Sequence, residues 1–228
     1  MAPQTKLTVL ISGSGTNLQA LIDACNNSTL PSTTIVRVIS DRKAAYGLQR
    51  ASNAGIPTHY HNYPSYKKQH PPSENRDESK AREEYDADLA SLILADSPDL
   101  VVCAGWMRVL SSRYMQAMEA AGVRSINLHP ALPGEYPGKD AIQRAHADWQ
   151  AGTGVSGEKK RTGVMIHYVI LEVDEGAWIV QKEIPFVEGE DEDVARFEDK
   201  VHAVEHKAIV EGTGKAIEEL WKKRSEAK

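Results

Sequence analysis

The segment Ser125-Ile126-Asn127-Leu128-His129-Pro130 ends on an amide and an imidazole two positions apart. Side chains alternate faces along a strand, so Ile126 and Leu128 can enter a core while Asn127 and His129 emerge together on the other side. Such a pair has a definite chemistry. The amide can donate to an oxyanion, and an imidazole with an ordinary pKa of about 6.5 can take a proton from an attacking amine or, once charged, stabilise the same oxyanion. Acyl-type transfer is the reaction class this suggests. Neither Ser nor Cys stands beside the pair as a nucleophile, which favours direct transfer over a covalent enzyme intermediate. The Pro- and Gly-rich run Ala131 to Gly138 follows, as expected where a strand opens into a crevice at the carboxyl end of a parallel sheet.

A second chemistry lies near the amino terminus, in Ser12-Gly13-Ser14-Gly15-Thr16-Asn17. A glycine turn between a strand and a helix exposes backbone N–H groups at the positive end of the helix dipole, a setting suited to phosphate. A dinucleotide fingerprint would need a third glycine where Leu18 stands, so NAD is disfavoured. Asp174 reads as an ordinary turn aspartate, and His167, inside an alternating strand, reads as structural. His59, His61 and His70 lack metal-ligand spacing, and no metal is expected. Met107 to Leu110 follows a buried strand at its carboxyl end, where backbone groups can meet a planar ligand.

The elements that must position these residues follow from periodicity. Leu7 to Ser12 reads as a strand, with Thr16-Asn17 capping a helix that carries Leu18, Leu21 and Ile22. Thr34 to Ser40 is a second strand, Tyr46 to Ala51 lies in a helix stopped by Gly55, and Pro57 to His61 is a third strand. Asn62 to Ser79, polar and Pro-rich, reads as a surface loop. Tyr85, Leu89, Leu92 and Ile93 make a helical stripe, and Leu100 to Gly105 is a continuous apolar run suited to a central parallel strand. Ser111 or Ser112 opens the helix that leads toward Gly122. Beyond the Asn127/His129 strand, Ile142 to Trp149 is helical and Ala151 to Lys160 is a flexible excursion. Gly163 to Leu171 and Ala177 to Phe186 should pair as an antiparallel hairpin turning at Val173-Asp174-Glu175-Gly176. Val194, Phe197, Val201 and Val204 mark a terminal helix, which Gly212-Thr213-Gly214 should break before a last short one. The fold expected is α/β and Rossmann-like: a mostly parallel sheet with flanking helices and an antiparallel C-terminal hairpin.

The 228 residues suit one domain. The formal charge of −5 comes from interspersed acids and bases without a basic stripe, so nucleic acid is not expected. The two cysteines, Cys25 and Cys103, sit in apolar segments and point to a reducing compartment. The start of the chain carries no signal-like core, and no apolar run approaches the roughly 20 residues of a membrane span, so a cytoplasmic protein without a membrane partner is expected.

Read together, Leu10 to Ile22, Ala104 to Leu110, Ile126 to Pro130 and Thr162 to Gly176 resemble the phosphoribosylglycinamide formyltransferase family, the folate-dependent enzymes of purine synthesis. The similarity spans nearly the whole chain, in the family's order, and its insertions look like those of monofunctional fungal members. It implies a single formyltransferase domain over 1–228, with a phosphate-binding half over about 1–120 and a catalytic and folate-binding half over about 121–228. It implies transfer of formyl from 10-formyltetrahydrofolate, as co-substrate, to the amine of glycinamide ribonucleotide, by a monomer or weak homodimer that needs no metal. By position, Asn127, His129 and Asp174 match the catalytic trio, and Gly15, Thr16 and Asn17 the substrate-phosphate loop. Glu205 and His202 match substrate contacts. Arg82, Met107, Arg108, Val109, Leu110, Ile170, Leu171, Glu172 and Val173 match the folate contacts. The loop after His129-Pro130 departs from the family's usual Ser-Leu-Leu-Pro, reading Ala131-Leu132-Pro133-Gly134 instead.

Formyltransferases acting on methionyl-tRNA or nucleotide sugars share an Asn-x-His and a downstream Asp, as does a hydrolase that releases formate from the same folate. The first should carry a basic carboxyl-terminal domain and the last an amino-terminal regulatory one, and neither is expected here. A catalytically silent phosphate-ligand module is the alternative from another class.

Overall fold

Short β-branched runs separated by helices build a parallel array in the first part of the chain. In the computed structural model, which describes residues 3–70 and 79–226, β1 (Thr5–Ile11), β2 (Thr33–Ser40), β3 (Thr58–Tyr60) and β4 (Leu100–Cys103) pair in parallel in the order β3-β2-β1-β4. Leu7, Val9, Leu10, Ile11, Val38, Ile39 and Val101 are wholly buried, the continuous apolar reading of strands covered on both faces. The helices of this part are α1 (Thr16–Asn26), α2 (Tyr46–Asn53), α3 (Tyr63–Gln69), α4 (Ser79–Leu94) and α5 (Ser112–Ala120).

The chain falls into two compact units, Met1–Ser125 and Ile126–Lys228. Of the seven-stranded sheet, β3-β2-β1-β4 belong to the first, and the second is built on β5 (Arg124–His129), β6 (Arg161–Tyr168) and β7 (Trp178–Pro185), which pair antiparallel in that order. Between β5 and β6 run α6 (Ala141–Ala151) and α7 (Gly154–Lys159), and α8 (Val194–Glu226) closes the chain, packing on β6 and β7. The fold class is the one expected: α/β, mostly parallel, with antiparallel C-terminal strands.

Four local expectations are corrected. Tyr63–Gln69 is helix α3 rather than loop; Pro64 sits in its first turn, where a missing N–H costs nothing, and Tyr63 and Tyr66 pack edge-on against Tyr85. The rest of that loop expectation, residues 71–78, lies outside the described residues. The 152–160 excursion contains α7, held by tertiary contacts: Gly154, at φ +59°, lies so close to Asp148 that a Cβ would meet its carboxylate at 2.1 Å. At Gly212 no break occurs, and α8 runs uninterrupted for 33 residues. A Cβ on Gly212 would come within 2.7 Å of three Ile166 atoms, so this glycine permits close helix–strand packing. Finally, α1 is preceded by Gly15 in the left-handed region, and Thr16 is the first helical residue rather than a cap.

Candidate active site

Strands β5 and β6 place Asn127 directly opposite His167. As period two requires, Ile126 and Leu128 are buried, while Asn127 and His129 share the other face, His129 only 3% exposed. Asp174 reaches the same place from the β6–β7 connection. Its backbone is left-handed, at φ +59°, a conformation held only by its surroundings. Two residues on, Gly176 passes so tightly against Tyr168 that a Cβ would lie 1.7 Å from that carbonyl oxygen, so no other residue could close the turn that aims Asp174 inward.

Four side chains meet there. Nδ1 of His129 lies 3.3 Å from Oδ2 of Asp174, and Nε2 of His167 lies 3.4 Å from Oδ1. The Asn127 amide nitrogen stands 3.3 Å from Oδ1 of Asp174 and 3.2 Å from Nε2 of His167. His167 Nδ1 faces the Tyr168 carbonyl at 2.9 Å, so that nitrogen carries the proton and Nε2 accepts from Asn127. Both N–H bonds of Asn127 are thus engaged, at lengths above the usual 2.9–3.0 Å or so, and a short turn of the amide would redirect one of them.

His129 is placed differently. Its Nε2 faces the Glu135 carbonyl at 3.3 Å and its Nδ1 faces Asp174, so both ring nitrogens look at oxygen. A neutral imidazole has one N–H and satisfies only one of them; the imidazolium would satisfy both. Burial favours the neutral ring and outweighs the Asp174 charge and the loop carbonyls, so the pKa lies below 6.5. Burial alone would raise the Asp174 pKa, but the His167 and His129 imidazoles beside it and the Gly138 N–H at 2.9 Å hold it below 3.8. At neutral pH the pair is therefore a neutral imidazole beside a carboxylate, with room for one proton.

In the first unit the glycine turn is tied down from behind. Gly47 N–H donates to the Gly13 carbonyl at 3.1 Å, and Arg50 Nε donates to the Ser14 carbonyl at 2.9 Å. A Cβ on Gly15 would meet the Gly47 Cα at 2.5 Å, so the turn and α2 touch backbone to backbone. With carbonyls turned toward α2 and no side-chain cap or first-turn acid on α1, the leading N–H groups of Thr16 and Asn17 suit an anion. Ser12 Oγ accepts from the Met107 N–H at 2.9 Å and so joins this turn to the 105–110 loop. In that loop Met107 and Val109 are exposed and Leu110 is buried. Arg108 is not a free loop charge: it pairs with Asp41 at 2.8 Å and lies over the Tyr63 ring. Arg82 pairs with the buried Asp86, whose carboxylate also accepts from the Ser111 N–H.

The remaining expected residues lie in the second unit. Ile170, Leu171, Glu172 and Val173 are exposed on the loop carrying Asp174. On α8, His202 is half-buried and Glu205 buried, one turn apart on one face. Among the described residues no group of three or more His, Cys, Asp or Glu is arranged to hold a metal ion, and no helix is long and apolar enough to cross a membrane. Cys25 and Cys103 are free thiols whose pKa burial pushes up to about 11 and about 12, so they stay protonated.

Two participants escape the sequence. His167 orients Asn127 and packs its ring against Asp174, and only the β5–β6 register, fixed across a 31-residue excursion, reveals it. Glu135 contributes a backbone carbonyl, which no side-chain pattern records.

Comparison with known proteins agrees in sequence and in shape. Residues 5–213 match the formyl transferase family. The chain is 44% identical over 212 residues to the phosphoribosylglycinamide formyltransferase of Schizosaccharomyces pombe, covering 92% of this chain and 96% of that one. It is 41% identical over 220 residues to the Saccharomyces cerevisiae protein of the same name, covering 95% and 99%. Among solved structures, glycinamide ribonucleotide transformylase 1 of Symbiobacterium toebii superposes with a TM-score of 0.74 at 33% identity, over 92% of this chain and 85% of that one.

Proposed function

The chain belongs to the formyl transferase family, and on that premise we propose that Asn127, His129 and Asp174 carry the transfer of formyl from 10-formyltetrahydrofolate to the amino group of glycinamide ribonucleotide. The protein is a formyltransferase of purine synthesis, and its product is N-formylglycinamide ribonucleotide. The family match runs through both units, which supports reading them as halves of one formyltransferase domain.

The residues divide the work as follows. The glycinamide amine attacks the formyl carbon and forms the new C–N bond, while the carbonyl electron pair moves onto oxygen. Asn127, turning one N–H away from its long bonds, donates to that oxyanion. The nitrogen that attacked now carries an extra proton, which neutral His129 accepts at the nitrogen facing Asp174. The imidazolium then has an oxygen partner at each N–H, Glu135 and Asp174, and the proton passes on to the departing folate nitrogen. The oxyanion pair re-forms the carbonyl, the old C–N bond breaks, and no net proton is left behind. Gly15, Thr16 and Asn17 hold the substrate phosphate, and Glu205 with His202 contact the substrate from α8. Arg82, Met107, Arg108, Val109, Leu110 and the 170–173 loop receive the folate. On this reading the protein is cytoplasmic, monomeric or weakly dimeric, and acts on small molecules without metal, nucleic acid or membrane; the interspersed charges, −5 in sum, support the exclusion of nucleic acid.

One observation carries this reading: three polar side chains from β5 and the β6–β7 loop converge, with His167, at 3.2–3.4 Å. The test is the absorbance change on mixing protein, glycinamide ribonucleotide and the formyl-folate. His129→Ala should lower kcat by about 10²–10⁴-fold and leave the ribonucleotide Kd within a few-fold. A folded variant with near-normal turnover would remove His129 from the chemistry.

A further inference from the structure

The loop 135–138 touches two members of the trio. The Glu135 carbonyl faces His129 Nε2 at 3.3 Å, and the Gly138 N–H donates to Asp174 at 2.9 Å. A carbonyl can fix an imidazole only if its own peptide is fixed, so what holds this loop matters. Glu135 is gripped through its side chain: Arg161, on β6, gives its carboxylate two bonds, at 2.9 and 3.0 Å. Arg144 of α6 donates to the Pro137 carbonyl at 2.8 Å. Between them stands Tyr136, in the left-handed region at φ +47°, where a tyrosine stays only if something holds it. Its hydroxyl donates to Asp148 of α6 at 2.8 Å and accepts from the Ser156 N–H of α7 at 3.1 Å. Burial raises the Tyr136 pKa and keeps that hydroxyl a donor.

We infer that Tyr136 is a positioning residue for the reaction: its hydroxyl, clamped between Asp148 and the start of α7, holds the Glu135 peptide and so the orientation of the His129 ring. The 152–160 excursion then has a task. Its short helix supplies the N–H that completes the clamp, and Gly154 lets α7 lie against Asp148. The inference rests on the catalytic role proposed above for His129.

The experiment compares Tyr136→Phe, Asp148→Ala and Asp148→Asn with the wild type by steady-state formyl transfer and thermal unfolding. Tyr136→Phe and Asp148→Ala should each lower kcat about tenfold, with both KM values within about twofold, because a loosened ring misplaces the proton acceptor without touching either substrate. Asp148→Asn retains an acceptor oxygen and should keep nearly full turnover, and the double variant Tyr136→Phe/Asp148→Ala should be no slower than either single one. Wild-type kcat in Tyr136→Phe would overturn the clamp, as would a change confined to KM, or a loss in Tyr136→Phe that Asp148→Ala does not share. If one variant fails to fold, the other still decides through its kcat and its rescue by Asn. His129→Ala, run alongside, separates the two failures. An inactive His129→Ala with an unimpaired Tyr136→Phe defeats the clamp alone, whereas an active His129→Ala defeats the catalytic reading itself.

Discussion

A buried imidazole between a carboxylate and a carbonyl feels two opposed forces. Burial disfavours its charge and Asp174 favours it, and burial prevails, so His129 is neutral at pH 7 and able to accept a proton. The proposed mechanism needs that neutral form, so kcat/KM should fall as pH is lowered through the His129 pKa, giving an acid limb below 6.5. Asp174→Asn removes the charge that raises this pKa, so the limb should move to still lower pH while kcat drops, by about 10²-fold if proton acceptance is lost. A pH–rate series on the two proteins checks it; a limb that moves upward or stays put would contradict the assignment. At this scale the sequence was informative where local geometry sufficed. Alternation along one strand put Asn127 and His129 together, whereas Asp174 looked like an ordinary turn residue, because its inward aim depends on a left-handed backbone and on Gly176 against Tyr168.

Elements were legible where a long apolar period set them and illegible where distant contacts did. The strands β1, β2 and β4 and helices α1 and α4 follow from their own side chains. Helix α7 does not, because its glycines and polar residues favour helix only once Asp148 and Tyr136 are in place. The same holds for Gly212, where local propensity predicts a break and packing on β6 forbids a side chain. The two readings differ in sign. On a solvent-facing helix Gly→Ala should stabilise, by roughly 1 kcal/mol. Here Gly212→Ala drives a Cβ to 2.7 Å from Ile166 and should destabilise, by about 1–3 kcal/mol, as read from urea unfolding. A more stable Gly212→Ala protein would show that α8 can move off β6 at little cost.

Over the whole chain, the order of strands and helices exposed the fold class, since β–α–β alternation ending in adjacent strands leaves few topologies. The same view sums protonation across both units. His61 in the first and His129 in the second are both held below 6.5, chiefly by burial, and His61 Nε2 lies 2.9 Å from the Tyr85 carbonyl. Below pH 6.5 the unfolded chain takes up protons at these positions before the folded one does, so stability must fall as pH drops from 6.5 toward the folded pKa values. Asp174, Asp96 and Glu211 are lowered from 3.8, 3.8 and 4.5; for them too the unfolded state binds protons first, and a second loss follows below about pH 4.5. Both windows act in one direction. Urea unfolding between pH 7.5 and 5.0 should show declining stability, with each histidine contributing at most about 1.4 kcal/mol per pH unit. His61→Gln keeps a donor for the Tyr85 carbonyl without a titrating ring and should flatten the decline. A stability that stays level or rises on acidification through this range would mean that His61 and His129 are charged in the fold, and His129 could then no longer serve as the proton acceptor.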